Sequence, residues 1–352
     1  MVALYLTSVE AAGKTALCAG IGRKLLSQGK KVGYFAPVQL SETSGTDGYR
    51  DAAFVKEAFE LAESTDLLCP TRLSRRDLWQ SLTDEVADFT QSLRQAYANI
   101  SRGKDIVLVE GLSGLGVDNV STLACYTIAE TLDAKVIAVL RYSSTLDPVE
   151  IAQIGKKLEG RLLGVVINFV PELKIEVLKG YMVSSFEEAG VKILGTLPEV
   201  RSLLGVSVKD LAEVLEGEIL TCPDNTGEIV ENVMLGAMTP DSGIDYFSRE
   251  TNKAAVIRGE RADMQLAALE TSIKCLILTD NSKPLPAVVH QAEDKHVPIM
   301  IVKQDISGVI AGIEEALAKT SFHNPEKLRR FESILGHHFD FKALSSELGL
   351  KA

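Results

Sequence analysis

The chain has 352 residues, enough for two domains, and 46% of them are hydrophobic, enough for large cores. Charged residues make up 24%, which argues against wholesale disorder. The formal net charge of −11, with no dense Lys/Arg cluster, argues against non-specific binding to nucleic acid or to anionic membranes.

The first strand is expected over residues 2–7. It runs into Ser8-Val-Glu-Ala-Ala-Gly13-Lys14-Thr15 and then into a helical run over 16–26. Strand, small-residue turn, Gly-Lys-Thr and helix together describe a phosphate-binding loop. In such a loop the backbone N–H groups and the positive helix end cradle phosphates. Lys14 reaches the terminal phosphates, and the Thr15 hydroxyl binds Mg²⁺. Ser8, Gly13, Lys14, Thr15 and Ala16 are the expected nucleotide contacts, with Lys14 as the catalytic residue. Ser8 stands where the usual motif has its first glycine.

Further strands are expected over 31–37, 105–109, 135–140, 162–168 and 192–196, each apolar almost throughout, as in sheets covered on both faces. Helix-length runs cover 82–100, 123–132, 148–158 and 175–189. This is the pattern of an α/β fold with a doubly wound, mostly parallel sheet. Its ligand crevice lies at the carboxyl ends of the strands.

Near residues 215–227 the pattern breaks, and Thr221-Cys-Pro-Asp-Asn-Thr-Gly227 reads as a surface loop. A smaller α/β unit follows, with strands over 233–236, 253–257, 275–278 and 298–302, and helices over 263–271, 287–294 and 306–318. A last helix is expected over 325–335. The expected division is therefore 1–215, 216–320 and a helical tail over 321–352.

Glu110 ends the strand Asp105-Ile-Val-Leu-Val109 beside Gly111-Leu-Ser-Gly114, which suits a Mg²⁺ ligand. Asp51 opens a helix, where a capping role competes with a functional one. Asn168 ends another strand. Its amide both donates and accepts, so it is either a purine-edge contact or a turn residue before Pro171. The five cysteines are far apart, with no Cys-x-x-Cys, which fits a reducing cytoplasm. The start Met-Val-Ala-Leu-Tyr lacks the basic region of a signal peptide, and no apolar run is long enough for a bilayer. His337-His338 with Asp340 reads as exposed polar residues rather than as a metal site.

Taken in order, Thr7–Thr15, Phe35-Ala-Pro-Val38, Asp51-Ala, Val109-Glu-Gly-Leu-Ser-Gly114, Gly164-Val-Val-Ile-Asn168 and Gly195-Thr-Leu-Pro-Glu199 resemble the dethiobiotin synthetase-like P-loop family, which includes the cobyrinic acid amide synthetases. The resemblance implies ATP as ligand, with Thr15, Asp51 and Glu110 around Mg²⁺, Lys14 on phosphate and Asn168 near the adenine. It also marks a departure. Dethiobiotin synthetases carry Lys-Pro where this chain has Ala36-Pro37, and a methyl group cannot stabilise an anion. Gly236-Ala-Met-Thr-Pro240 and Ala255-Val-Ile-Arg-Gly-Glu-Arg-Ala-Asp-Met-Gln265 resemble the DRTGG domain, a regulatory or interaction module. The pair of modules resembles the N-terminal region of long phosphate acetyltransferases, and the sequence ends where their catalytic domain begins, so acetyl transfer is not expected from this chain alone.

Three readings stay open. The first is an ATP/Mg²⁺-binding regulator acting on a protein partner or a second copy. The second is an ATP-dependent ligase or amide synthetase with an altered substrate. The third is a scaffold that binds nucleotide for stability alone.

Overall fold

The computed structural model describes residues 1–40, 47–83, 89–236, 243–318 and 322–350. The chain divides into two compact units, Met1–Glu199 with Pro325–Ala352, and Val200–Asn324.

The first unit is built on six strands: β1 (Val2–Ser8), β2 (Val32–Phe35), β3 (Ile106–Ser113), β4 (Lys135–Arg141), β5 (Leu162–Val170) and β6 (Ile193–Pro198). Their order in the sheet is β2-β3-β1-β4-β5-β6, and every pairing is parallel. The connecting helices include α1 (Lys14–Ser27), α2 (Asp47–Phe59), α3 (Phe89–Ser101), α4 (Asn119–Thr131), α5 (Pro148–Lys157) and α6 (Ile175–Glu188). Residues 3–8 of β1 are all buried, as expected for a central strand with helices on both faces. Caps fix where helices begin. Asp118 accepts from Val120 N and Ser121 N at the start of α4, and Asp147 accepts from Val149 N ahead of Pro148 in α5.

Helix α1 carries glycines where neighbours press close. A Cβ on Gly22 would lie 1.9 Å from the ring of Phe59 in α2. A glycine inside a helix costs roughly 1 kcal/mol against alanine, and the close packing offsets it.

The second unit has its own sheet, formed by β7 (Glu218–Ile219), β8 (Asn232–Leu235), β9 (Lys253–Arg258), β10 (Ile273–Thr279) and β11 (Ile299–Ile301), in the order β7-β11-β10-β9-β8. Only β7 runs antiparallel to its neighbour. The period-2 alternation of these strands splits the core in two. Ala254, Val256, Cys275 and Ile277 pack on one face with Leu211 of α7 (Val208–Val214). Ala255, Ile257, Leu276 and Leu278 pack on the other, with Met264 and Ala268 of α8 (Ala262–Leu269) and Val288 of α9 (Pro286–Asp294). Helix α10 (Ile306–Ala318) joins the first face through Val309 and Ile313.

Residues from 325 onward do not form a separate tail. Helix α11 (Pro325–His338) lies on α1, where a Cβ on Gly20 would come 2.3 Å from Leu335 Cδ1, and Arg23 Nε meets Glu332 Oε1 at 3.0 Å. Phe339 forms an antiparallel bridge with Gly195 of β6, and Asp340 N donates to Leu194 O at 2.8 Å. A further helix, α12 (Phe341–Glu347), follows, capped by Asp340.

The expected division at 215 falls later than the observed one. Val206 pairs with Val230, and α7 packs in the second core, so residues 200–215 belong to the second unit. Thr221, expected on the surface, is buried: it donates to Val297 O and accepts from Ile299 N. The helix expected over 82–100 is seen as a helix over 75–83 and as α3, and residues 84–88 lie outside the described residues. The part of the Gly236–Pro240 motif after Gly236 lies outside them as well.

Candidate functional site

The loop from β1 to α1 is fixed by strand register. Ser8 lies opposite Ser113 in the β1–β3 pairing, and their hydroxyls are 3.2 Å apart. Lys14, the first residue of α1, reaches back over both, with Nζ donating to Ser8 Oγ at 3.0 Å and to Ser113 Oγ at 2.5 Å. The N–H groups of Gly114 and Leu115 donate to Ser8 O and tie the loop to the end of β3.

Gly13 turns the chain into the helix at φ 81. A side chain there would hold a left-handed conformation, costing roughly 1–2 kcal/mol. Its Cβ would also come 2.9 Å from Asn168 Nδ2. Leu17 N bonds to Gly13 O, the first bond of the helix ladder. The N–H groups of Gly13, Lys14, Thr15 and Ala16 therefore have no acceptor within the helix. They point out of the helix N-terminus, where its dipole favours negative charge.

Glu110 sits in β3 opposite Leu6 of β1. Its Oε1 accepts from Thr15 Oγ1 at 2.6 Å and its Oε2 from Tyr34 OH at 2.7 Å. Burial and the charge of Asp51 push the Glu110 carboxyl above its ordinary value, against the pull of Lys14 and the two hydroxyls. Burial also holds the Lys14 ammonium below its ordinary value, opposed by the charges of Glu110 and Asp51. Asp51 lies inside α2 rather than at its start, because the helix begins at Asp47; it is not the cap. It stands close enough for its charge to act on Glu110 and Lys14.

Lys14, Thr15 and Glu110 thus come together toward the carboxyl ends of β1 and β3, the side on which open parallel sheets bind ligands, and the charge of Asp51 in α2 acts on Lys14 and Glu110. Two like charges acting on each other in a buried place suit a hard cation between oxygen donors. Among the described residues no group of three or more His, Cys, Asp or Glu side chains is arranged to hold a metal.

Asn168, the expected purine-edge contact or turn residue, makes two hydrogen bonds within the protein. It is buried, and its Nδ2 donates to Ala12 O at 2.9 Å while its Oδ1 accepts from Phe169 N at 2.9 Å. As placed, it fastens the phosphate-type loop to β5.

Ala36 donates its N–H to Leu68 O at 2.8 Å. Beside it lies a cavity of about 430 Å³ whose walls include Phe35, Pro37, Pro70, Leu73, Phe89 and Leu93. In the second unit, Arg261 and Asp263 close on each other, with Nε to Oδ1 at 3.0 Å and Nη2 to Oδ2 at 2.9 Å. Gln265 is fully buried and donates to Arg258 O and Gly259 O at 3.0 Å.

Sequence reasoning assigned no role to Tyr34 or Ser113. Ser113 carried a usable signal, its hydroxyl in the small-residue run after Glu110. Tyr34 carried none, since its hydroxyl reaches Glu110 only through the β2–β3 pairing.

A family model described as an AAA domain (AAA_26) matches residues 3–207, and one described as a DRTGG domain matches residues 210–316. The phosphate acetyltransferase of Nitrosomonas europaea is 22% identical over 356 residues, covering 96% of this chain and 50% of that protein. The ATP-dependent dethiobiotin synthetase BioD of Methanococcus vannielii is 25% identical over 189 residues, covering 52% of this chain and 86% of that protein. The chain spans about half the length of the curated phosphate acetyltransferases it matches. Among solved structures, the MinD cell division protein of Aquifex aeolicus aligns at 17% identity and a TM-score of 0.38, over 58% of this chain and 84% of that one.

Proposed function

The chain belongs to the AAA_26 family of AAA domains, and from that premise we propose that its first unit binds ATP with Mg²⁺ as a regulatory ligand. One observation carries the reading: the Lys14 ammonium rests on two serine hydroxyls while Thr15 rests on Glu110. The first contact is one that a phosphate oxygen replaces, and the second brings together two oxygens that could face a cation. A phosphate oxygen takes the place of Ser8 Oγ and Ser113 Oγ on the ammonium, and the contact becomes charge-assisted. The N–H groups of residues 13–16 hold the remaining phosphate oxygens. Thr15, Glu110 and Asp51 would hold Mg²⁺, which when bound neutralises charge on the phosphates. Its charge also relieves the mutual repulsion of Glu110 and Asp51.

The regulatory part of the reading is supported by the second unit, which matches the DRTGG domain, and by the resemblance of the pair to part of the phosphate acetyltransferases. Nucleotide occupancy would be reported to a protein partner or a second copy. The five cysteines are all free, as a reducing cytoplasm keeps them.

Titration calorimetry with MgATP tests the nucleotide assignment. Lys14→Ala should weaken binding by ~1.5–3 kcal/mol, the worth of a hydrogen bond to a charged group. Omitting Mg²⁺ should weaken it as well. Equal affinities for the wild type and the variant would sink the assignment.

A second reading, ATP-dependent ligation, is favoured by the mostly apolar cavity beside Ala36. It calls for an acceptor with an apolar body, and dethiobiotin synthesis is not expected with Ala36 at that position. ADP release that depends on such an acceptor would support ligation over regulation.

A further inference from the structure

Arg141 and Phe169 stand at the carboxyl ends of β4 and β5, where Arg141 is the register partner of Asn168. The guanidinium carbon of Arg141 lies 4.2 Å from the centre of the Phe169 ring. Arg141 is exposed, and among the described residues its guanidinium makes no ion pair and no hydrogen bond. A long cation with no carboxylate to hold it gives up rotamer freedom to lie there. Phe169 is itself held at φ 59, a left-handed conformation that an aromatic residue adopts at a cost. Its N–H is fastened by Asn168 Oδ1, and the same Asn168 fastens Ala12 of the loop. The ring edge lies 3.9 Å from the point where a Cβ on Gly13 would stand. Beside this pair, Lys174 Nζ lies 5.5 Å from the centre of the Tyr142 ring.

The shelf therefore adjoins the phosphate-type loop, and one asparagine sets both. A guanidinium plane laid on a ring leaves its other face to stack on a flat π system. One N–H and one oxygen lone pair of the Asn168 amide are committed to Ala12 and Phe169. Resting on the nucleotide reading above, we infer that Arg141, supported by Phe169, is the stacking platform for the nucleobase. The base is then selected by its flat face rather than by its edge, so adenine and guanine nucleotides bind alike. Stacking is tolerant of base identity, because every base has a π face.

The test uses the full chain and three probes: MgATP, MgGTP and magnesium tripolyphosphate, which has no base. In the wild type, ATP and GTP should bind within about tenfold of each other, and both more tightly than tripolyphosphate. Arg141→Ala should weaken both nucleotides by about tenfold or more, the size of one base–platform contact. It should change tripolyphosphate much less. Arg141→Lys keeps the charge and loses the plane, so it should follow Arg141→Ala for the nucleotides. Phe169→Leu should weaken nucleotides in the same direction, and circular dichroism reports whether that variant keeps its fold.

Several outcomes would overturn the inference and leave the nucleotide reading standing. One is an ATP preference over GTP of a hundredfold or more. Another is equal loss of ATP and tripolyphosphate in Arg141→Ala, which makes Arg141 a phosphate contact. A third is full nucleotide binding by Arg141→Lys. A wild type that binds none of the three probes overturns the nucleotide reading itself, and this inference with it.

Discussion

Lys14 of the first unit and Lys253 of the second are held in different ways. Lys253 of β9 is fully buried, and its Nζ donates to the backbone oxygens of Glu250 and Ser272, both at 2.9 Å. Lys14 is half-buried, and its two partners are side-chain hydroxyls. Burial lowers the proton affinity of both. The difference lies in what can replace the partners. Backbone oxygens are fixed in place by the chain around them and cannot turn to another partner as a hydroxyl can, so Lys253 is part of the fold. Serine hydroxyls both donate and accept, so they release Lys14 to a stronger acceptor without being left unpaired. A buried lysine therefore marks a binding site only when its partners are exchangeable.

The largest effect that would break this contrast comes from Lys253→Met. It leaves two carbonyl oxygens without their donor, each worth roughly 1–3 kcal/mol when buried and unpaired. Urea melts should show a loss of about 3 kcal/mol, and a loss below about 1 kcal/mol would erase the distinction. The Lys14→Ala change described above should act mainly on binding.

Glu110 sharpens the contrast through pH. Its folded-state pKa is raised by burial and by Asp51, so the fold prefers the protonated carboxyl. The stability from this group is present below its ordinary value of 4.5 and is lost as pH rises through the raised folded value. Glu110→Gln should make the nucleotide-free protein melt higher at neutral pH and flatten its melting profile in that window. The same variant should lose the Mg²⁺ dependence of nucleotide binding. A lower melting temperature at neutral pH would show that the bonds from Thr15 and Tyr34 outweigh the charge penalty.

The smallest effect is expected at Arg261, whose partner Asp263 is two residues away and whose pairing faces solvent. Surface pairs of this kind contribute little. Arg261→Ala should leave the melting curve unchanged, and a clear drop would give the second unit an electrostatic centre after all.

These contrasts also mark what the sequence could disclose. The path from β1 through Gly13-Lys14-Thr15 into α1 was legible, because strand, turn and helix are local and their apolar patterns are strong. Glu110 was legible as the polar residue at the tip of a buried run. The partners of Lys14 were not, since Ser8 meets Ser113 only through parallel pairing across 105 positions. Asp51 was read as a helix start because the residues before it lack apolar periodicity, yet the helix begins at Asp47. Asn168 was expected to end its strand, but β5 runs on to Val170, and no pattern could say that its amide would turn to the loop backbone. The boundary was drawn at the turn-rich stretch near 215–227, and composition missed that the chain had already entered the second core at Val206.

The antiparallel bridge between Phe339 and Gly195 has a practical meaning for protein production. Strand β6 is the last of its sheet, and an open sheet edge is a template for pairing with other chains. The segment from Pro325 onward covers part of that edge and fills the hollow over Gly20 of α1 with Leu335 and Phe331. The matched DRTGG domain ends at residue 316, so a truncation drawn there would look complete by family boundaries. It would nevertheless uncover both the edge and the apolar back of α1. Aggregation of such a fragment would then reflect a lost cover rather than a flaw in either matched domain.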